Sequence, residues 1–190
     1  MKIFILEGLP GSGKTTMSIK LSKELNFKRI GEIIDENYDE IYSSKILDVK
    51  QSFYFKNDKR KYRLAKEYSR ITNVLVDRGF LSTLAYNSCL EKKSDKSREL
   101  TIEYNLFKKL INRNIFYIFI EISPEISQKR KQQNKSKNNL WSYKTNLIKI
   151  SKFYKKEFKK KNLNIILING ERSYDKVYDE IKSKISNLVL

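Results

Sequence analysis

Gly8-Leu9-Pro10-Gly11-Ser12-Gly13-Lys14-Thr15 is the stretch from which the fold can be argued. It has the form G-x-x-x-x-G-K-[ST], with the apolar run Ile3-Phe4-Ile5-Leu6 and Glu7 before it and a helical pattern from Thr16 behind it. Glycines at 8, 11 and 13 let the backbone curl, so that the N–H groups of the loop, Ser12 included, point inward as a nest for an anion. The helix behind the loop adds the partial positive charge of its N-terminus. Lys14 can then reach the β- and γ-phosphates of a nucleoside triphosphate, and the Thr15 hydroxyl can ligate Mg²⁺. The alternative is a glycine-rich turn that binds nothing, and the register of strand, loop and helix argues against it.

Outward from the loop, strand and helix signals alternate, which predicts a parallel sheet with helices on both faces. Met17, Leu21 and Leu25, four apart, give the first helix its buried face. A short strand is expected near Arg29–Ile34, ending in the acidic residues Glu32, Asp35 and Glu36, and a long helix from about Ser52 to Arg70. Val74-Leu75-Val76 is a buried strand that delivers Asp77-Arg78-Gly79 to its carboxyl end. Two helices follow, one over about Leu81–Leu90 and one carrying Leu100, Tyr104, Phe107 and Ile111. Ile115–Ile122, apolar except for Glu121, has the pattern of a central parallel strand. Ser123-Pro124-Glu125 has the form of a helix N-cap with proline at the first helical position. Lys131–Asn139 is polar and expected to be a flexible loop. A helix resumes near Trp141, with Leu147, Ile150, Tyr154 and Phe158 as its stripe, then a fifth strand at Ile165–Ile168, closed by Asn169-Gly170, and a last helix. Without repeats or a long linker, a single domain over 1–190 is expected, with a lid loop at about 130–141.

Composition narrows the chemistry. The chain has no histidine and a single cysteine, Cys89. That excludes Ser-His-Asp and Cys-His catalysis, histidine zinc sites and a disulfide framework, and it fits a reducing cytoplasm. No signal peptide or membrane-spanning apolar run is expected. The net charge is +18, and between Ser127 and Lys161 there are 13 Lys/Arg against one acid, Glu157. Such a field attracts phosphorylated substrates or nucleic acid; the alternative is a lysine-rich solvated face.

In open α/β sheets the ligand lies at the carboxyl ends of the strands. Phosphoryl transfer needs a cation held, charge neutralised, and nucleophile and leaving group in line. Asp77 can hold Mg²⁺ directly or through water, the alternative being a helix N-cap. Arg78 can fork onto an acceptor phosphate, the alternative being a structural ion pair. Arg130 and neighbouring lysines can close over the transferring group as a lid. Glu32 can serve as base or orient the acceptor, the alternative being a plain acidic loop.

Asp77-Arg78-Gly79-Phe80-Leu81-Ser82-Thr83-Leu84-Ala85-Tyr86 resembles the D-R-x-x-x-S-x-x-A-Y segment of thymidylate kinases. The opening Glu7-Gly8 through Gly13-Lys14-Thr15-Thr16, the Ser123-Pro124-Glu125 turn leading to Arg130, and the Asn169-Gly170 turn are also similar to that family. The resemblance implies a P-loop NTPase fold of the nucleoside monophosphate kinase type: a three-layer α/β/α sandwich on a five-stranded parallel sheet of order 2-3-1-4-5. It implies ATP as donor, phosphates on the loop from Gly8 to Thr16, adenine at Asn169-Gly170, and Arg78 and Tyr86 on the acceptor. The transition-state cation would come from the lid, with Arg130 first choice. A second acceptor arginine is expected on the long third-region helix, where Arg60 and Arg63 are both candidates. The family's R-E-P-G-G after strand two is replaced here by Gly31-Glu32-Ile33-Ile34-Asp35-Glu36, and Asn87 stands where a glutamine commonly follows A-Y. A carboxylate after strand two is also similar to deoxynucleoside kinases, where it acts as base on a 5′-hydroxyl.

The leading expectation is therefore an ATP- and Mg²⁺-dependent kinase acting on a (deoxy)nucleoside monophosphate, with a nucleoside or other small hydroxyl-bearing metabolite as the alternative acceptor. A nucleic-acid-binding protein and a homodimer are secondary alternatives. A nucleotide switch is disfavoured, because Asn134-Lys135-Ser136-Lys137 lacks the aspartate of N-K-x-D.

Overall fold

Along the first strand, β1 (Ile3–Glu7), successive side chains point to opposite faces of the sheet, and that alternation divides the core into two layers. Ile3 and Ile5 enter one layer together with Val74, Val76, Tyr117 and Phe119. Phe4 and Leu6 enter the other together with Leu75, Ile118, Ile120 and Ile168. The computed structural model describes residues 1–34, 47–89, 99, 101–102, 104–105, 114–132, 143–160 and 163–189. After β1 come α1 (Lys14–Glu24), β2 (Lys28–Ile30), α2 (Leu47–Tyr68), β3 (Val74–Asp77) and α3 (Phe80–Asn87). They are followed by β4 (Ile115–Glu121), α4 (Pro124–Gln132), α5 (Lys144–Phe158), β5 (Asn164–Asn169) and α6 (Tyr174–Val189).

All strand pairs are parallel and the order is β2-β3-β1-β4-β5, as the family resemblance implies. Tyr154, Leu147 and Ile150 from α5 cover the first layer. Met17 and Leu21 from α1, with Val177, Ile181 and Ile185 from α6, cover the second. The result is the expected α/β/α sandwich of the P-loop kinases. Helix starts follow the sequence: Ile126 N donates to Ser123 Oγ at 3.4 Å, in keeping with Ser123 as N-cap before Pro124. The lysines of α5, among them Lys149, Lys152, Lys155 and Lys156, are exposed, so this part of the basic stretch is a solvated face. No helix among the described residues is long and apolar enough to cross a membrane.

β2 is shorter than expected: it ends at Ile30, not Ile34. The reason is a competing partner. Asn57 on α2 donates to Glu32 O at 2.9 Å and accepts from Ile34 N at 3.1 Å, taking backbone groups that a longer strand would have given to the sheet. Asp35, Glu36, Leu90, Leu100, Phe107, Ile111, Trp141 and most of the expected lid loop lie outside the described residues.

Glu7 has the parity of Ile3 and Ile5, so it faces α3 and α5 and is fully buried. Oε1 accepts from Gly79 N at 3.0 Å, and Oε2 accepts from Tyr154 Oη at 2.9 Å and from Ser82 Oγ. Burial raises its pKa from 4.5 to about 7, although the hydroxyls of Ser82 and Tyr154 and the charge of Arg78 oppose the rise. The folded chain therefore binds this proton more tightly than the unfolded chain does. The contribution is fully present below about pH 4.5 and is lost as pH rises through about 7. In Glu7→Gln, whose amide can serve the same partners, this part of the pH dependence disappears. Unfolding free energies from urea melts at pH 4.5 and 8 are expected to fall by about 3 kcal/mol more in the wild type than in the variant. Equal falls in both proteins would mean that Glu7 titrates as an ordinary surface carboxylate.

Candidate active site

The loop between β1 and α1 is shaped for an anion. Gly13, the N-cap of α1, has φ 90°, and Gly8 has φ 146° with its α-carbon so close to β4 that a Cβ would stand 2.5 Å from Ile120 O. Lys14 is buried and its Nζ donates to Gly8 O at 3.0 Å, Leu9 O at 2.8 Å and Ser12 Oγ at 2.9 Å. The lysine thus lies folded against its own loop. Burial, reinforced by the charge of Arg78, lowers its pKa well below the ordinary lysine value, so an anion there is favoured. Thr15 and Thr16 are exposed on the first turn of α1.

From outside, α4 braces this loop. Ser127 Oγ donates to Pro10 O at 2.6 Å, and the Arg130 guanidinium donates to Gly11 O at 3.2 Å and Gly170 O at 3.1 Å. Arg130 therefore joins the phosphate loop to the Asn169-Gly170 turn. That turn is itself set by Gly170 N donating to Glu121 O at 2.8 Å, and by Glu171 Oε1 accepting from Ser123 N at 2.7 Å.

Asp77 closes β3 beside Leu6, and its carboxylate is fully buried with neither oxygen hydrogen-bonded. The Arg29 guanidinium stands 3.6 Å from Oδ2 while its Nε donates to Ser18 Oγ. Asp77 is not the N-cap of α3; Gly79 is. An orphaned buried carboxylate next to a phosphate loop fits a divalent cation. Among the described residues no group of three or more carboxylate or thiolate ligands forms a cage. Such an ion would share its shell with phosphate oxygens and water, as Mg²⁺ commonly does.

Across the mouth, Glu32 Oε1 is 2.7 Å from Arg78 Nε. Arg78 adopts φ 63°, a left-handed conformation that costs a non-glycine residue about 1 kcal/mol or more. It also donates to Tyr86 Oη and lies over the Tyr86 ring at 5.4 Å. Burial raises the Tyr86 pKa to about 12. For Glu32, burial alone would raise the pKa, but the charges of Arg78, Lys14 and Lys61 outweigh it and leave the carboxyl below its ordinary value. The structure therefore brings Lys14, Glu32, Asp77, Arg78 and Tyr86 to one end of the sheet.

It does not bring Arg60 or Arg63 there. Both are exposed on α2, whereas Lys61 between them is 2% exposed and turned inward. The physical reason is helical phase: Phe53, Asn57, Lys61 and Ala65, four apart, form the buried stripe, and 60 and 63 fall off it. Sequence reasoning missed Lys61, Asn57 and the bridging role of Glu7. For the first two the signal was available, because both stand in phase with Phe53 and Ala65.

The family model for thymidylate kinase matches residues 6–181. Among solved structures, deoxyadenosine kinase from M. mycoides with bound dATP is similar at 19% identity over 98% of this chain and 100% of its own, with TM-score 0.77. The same enzyme with products dCMP and a flexible dCDP has TM-score 0.76 at 18% identity, covering 97% and 99%. The YorR protein from Bacillus subtilis, in complex with phosphorylated GDP, has TM-score 0.61 at 20% identity, covering 98% and 95%. At these identities the likeness is one of fold. No curated protein gives a significant match.

Replacing the loop lysine or the orphaned carboxylate tests the site without touching the core layers. Lys14→Ala and Asp77→Ala are each expected to lower phosphoryl transfer by about 10²–10³-fold, the scale seen when a charge-stabilising group is removed. Circular dichroism is expected to stay unchanged. Near-normal turnover in either variant would remove that residue from the site.

Proposed function

Because the chain belongs to the thymidylate kinase family, and so is a nucleoside or nucleotide phosphotransferase, we propose that it transfers the γ-phosphoryl group of ATP to a hydroxyl of a (deoxy)nucleoside. The observation that carries this reading is the Glu32–Arg78 ion pair at 2.7 Å. A monophosphate acceptor brings negative charge and needs uncommitted cations. Here Arg78 already faces a carboxylate, Lys61 is spent on backbone carbonyls, and Arg60 and Arg63 point outward. A hydroxyl acceptor needs the opposite: an ionised carboxylate within reach, which the surrounding cations ensure at Glu32.

In this reading the backbone of Gly8, Gly11, Ser12 and Gly13, with Lys14 and Thr16, holds the triphosphate. Asn169 and Gly170 flank the adenine, while Arg130, expected to close over the transferring group, has its guanidinium on Gly11 O and Gly170 O and braces the phosphate loop instead. Mg²⁺, held by Thr15 and by Asp77 directly or through water, would neutralise β- and γ-phosphate charge. Glu32 accepts the proton of the acceptor hydroxyl as that oxygen bonds to the γ-phosphorus. The bond from the γ-phosphorus to the bridging oxygen breaks, and ADP leaves. Arg78 keeps Glu32 ionised until the hydroxyl arrives, and Tyr86 fixes the guanidinium.

The monophosphate reading retains one observation in its favour: Arg78 lies in the Asp77–Tyr86 segment that resembles thymidylate kinases. On that reading an incoming phosphate replaces Glu32 as the partner of Arg78. A screen with ATP and Mg²⁺ over nucleosides and their monophosphates separates the two. Nucleosides are expected to turn over, and Glu32→Gln to lower that turnover by about 10²–10⁴-fold with the KM for ATP unchanged. Turnover of monophosphates alone, only weakened in Glu32→Gln, establishes the second reading. No ATP consumption with any acceptor defeats both.

A further inference from the structure

Lys61 belongs to neither loop of the candidate site, yet it touches both. Its Nζ donates to Glu32 O at 3.1 Å, to Asp77 O at 2.7 Å and to Arg78 O at 2.7 Å. An ammonium has three N–H donors, so this set exhausts it. The three carbonyls belong to Glu32 and Arg78, whose side chains make the acceptor side of the site, and to Asp77, whose carboxylate would hold the cation. We propose that Lys61 is a positioning residue: its ammonium sets the carboxylate of Glu32, carried after β2, against Asp77 and Arg78, carried after β3.

Several observations converge on this role. Lys61 is 2% exposed, too deeply placed and too fully bonded to meet a substrate itself. Burying an ammonium is unfavourable, and its nearest carboxylate, Asp58 Oδ1, is 4.0 Å away, while Asp58 Oδ2 is taken by Thr83 Oγ1 at 2.5 Å. The carbonyls must therefore provide most of what holds the charge inside. Arg78 O is presented by a residue at φ 63°, and the bonds Lys61 Nζ to Arg78 O and Arg78 N to Leu6 O, at 3.1 Å, hold that conformer. Asn57, one turn earlier on α2, grips the Glu32 loop from the same side. Among the described residues, the two loops themselves are joined by the Glu32–Arg78 ion pair, whose carboxylate is 42% exposed.

The inference rests on the site being a kinase site, and the same assay separates the two failures. A wild type inactive with every nucleoside and monophosphate defeats the kinase reading. A wild type active with either, and indifferent to position 61, defeats only this inference. With the preferred acceptor, Lys61→Met is expected to lower kcat by about 100-fold, the scale of an ångström-sized misplacement of reacting groups. Affinity for a non-hydrolysable ATP analogue, measured by calorimetry, is expected to stay within threefold (~0.7 kcal/mol). Lys61→Arg, which returns charge and donors, is expected to recover about tenfold of the loss. Lys61→Gln provides a milder second variant, and each protein is assayed where circular dichroism shows it folded. Three results overturn the proposal: kcat within threefold of wild type in Lys61→Met, ATP affinity falling in step with kcat, or failure of both uncharged variants to fold.

Discussion

The carboxylate of Glu7 sits where three separate pieces of the chain must meet. It ends β1 immediately before the phosphate loop and receives donors from the turn that opens α3 and from the middle of α5. Gly79, at the N-cap of α3, makes no side-chain cap bond, so Glu7 supplies from a neighbouring strand the acceptor that the helix start lacks. The root of the loop, the Asp77-Arg78 turn and the covering helix are thereby fixed relative to one another. An apolar residue at position 7 would pack in the same layer but leave Gly79 N–H, Ser82 and Tyr154 without this acceptor. Buried polar groups of that kind are each destabilising by about 1–3 kcal/mol.

Around Glu7 the charges act on one another. Lys14 feels the charges of Arg78, Asp77, Glu32 and Glu7, and Lys61 those of Asp58, Asp77, Glu32 and Glu7. Burial lowers Lys14 and Lys61 and raises Glu7 and Asp58, so for each group the cost of burying its charge outweighs the help of its neighbours. Anion binding at the loop would relieve Lys14 directly, because phosphate oxygens offer it full negative charge where carbonyls and a hydroxyl offer only dipoles. The Asp77 carboxylate, buried without a hydrogen bond and with the Arg29 guanidinium at 3.6 Å, presents the converse need for a cation. A metal–triphosphate complex answers both at once, whereas either component alone would leave one of the two unanswered.

The donor half was legible because it is written in residue types that backbone geometry demands. Glycine at positions 8 and 13 is required by positive φ, and lysine with threonine at the helix start follows from what a phosphate and a cation need. The order of strands followed from the family resemblance, and the helices on both faces of the sheet from the alternation of strand and helix signals. The acceptor half was less legible for two physical reasons. Asn57, Asp58 and Lys61 are polar residues on the inward stripe of α2, and polar residues at helical spacing look like a solvent face unless their phase with Phe53 and Ala65 is followed. The early end of β2 depends on Asn57, a residue from another element whose approach is set by tertiary packing rather than by local propensity.

Arg78 shows where this matters for function. An arginine after a buried strand reads identically whether it awaits a phosphate or already holds a carboxylate, since fork geometry and charge are the same in both cases. What separates the cases is the partner, and here the partner comes from the loop after β2, which reaches Arg78 only because Asn57 and Lys61 draw its backbone inward. With Glu32 so placed, a second phosphate approaching the Arg78 guanidinium would meet a carboxylate already paired to it. A hydroxyl approaching that pair meets an acceptor for its proton and no uncompensated charge. On the proposed reading, a neutral acceptor is thus favoured over an anionic one by the packing of one helix face, whose Asn57 and Lys61 bond directly to the backbone of Glu32 and Arg78.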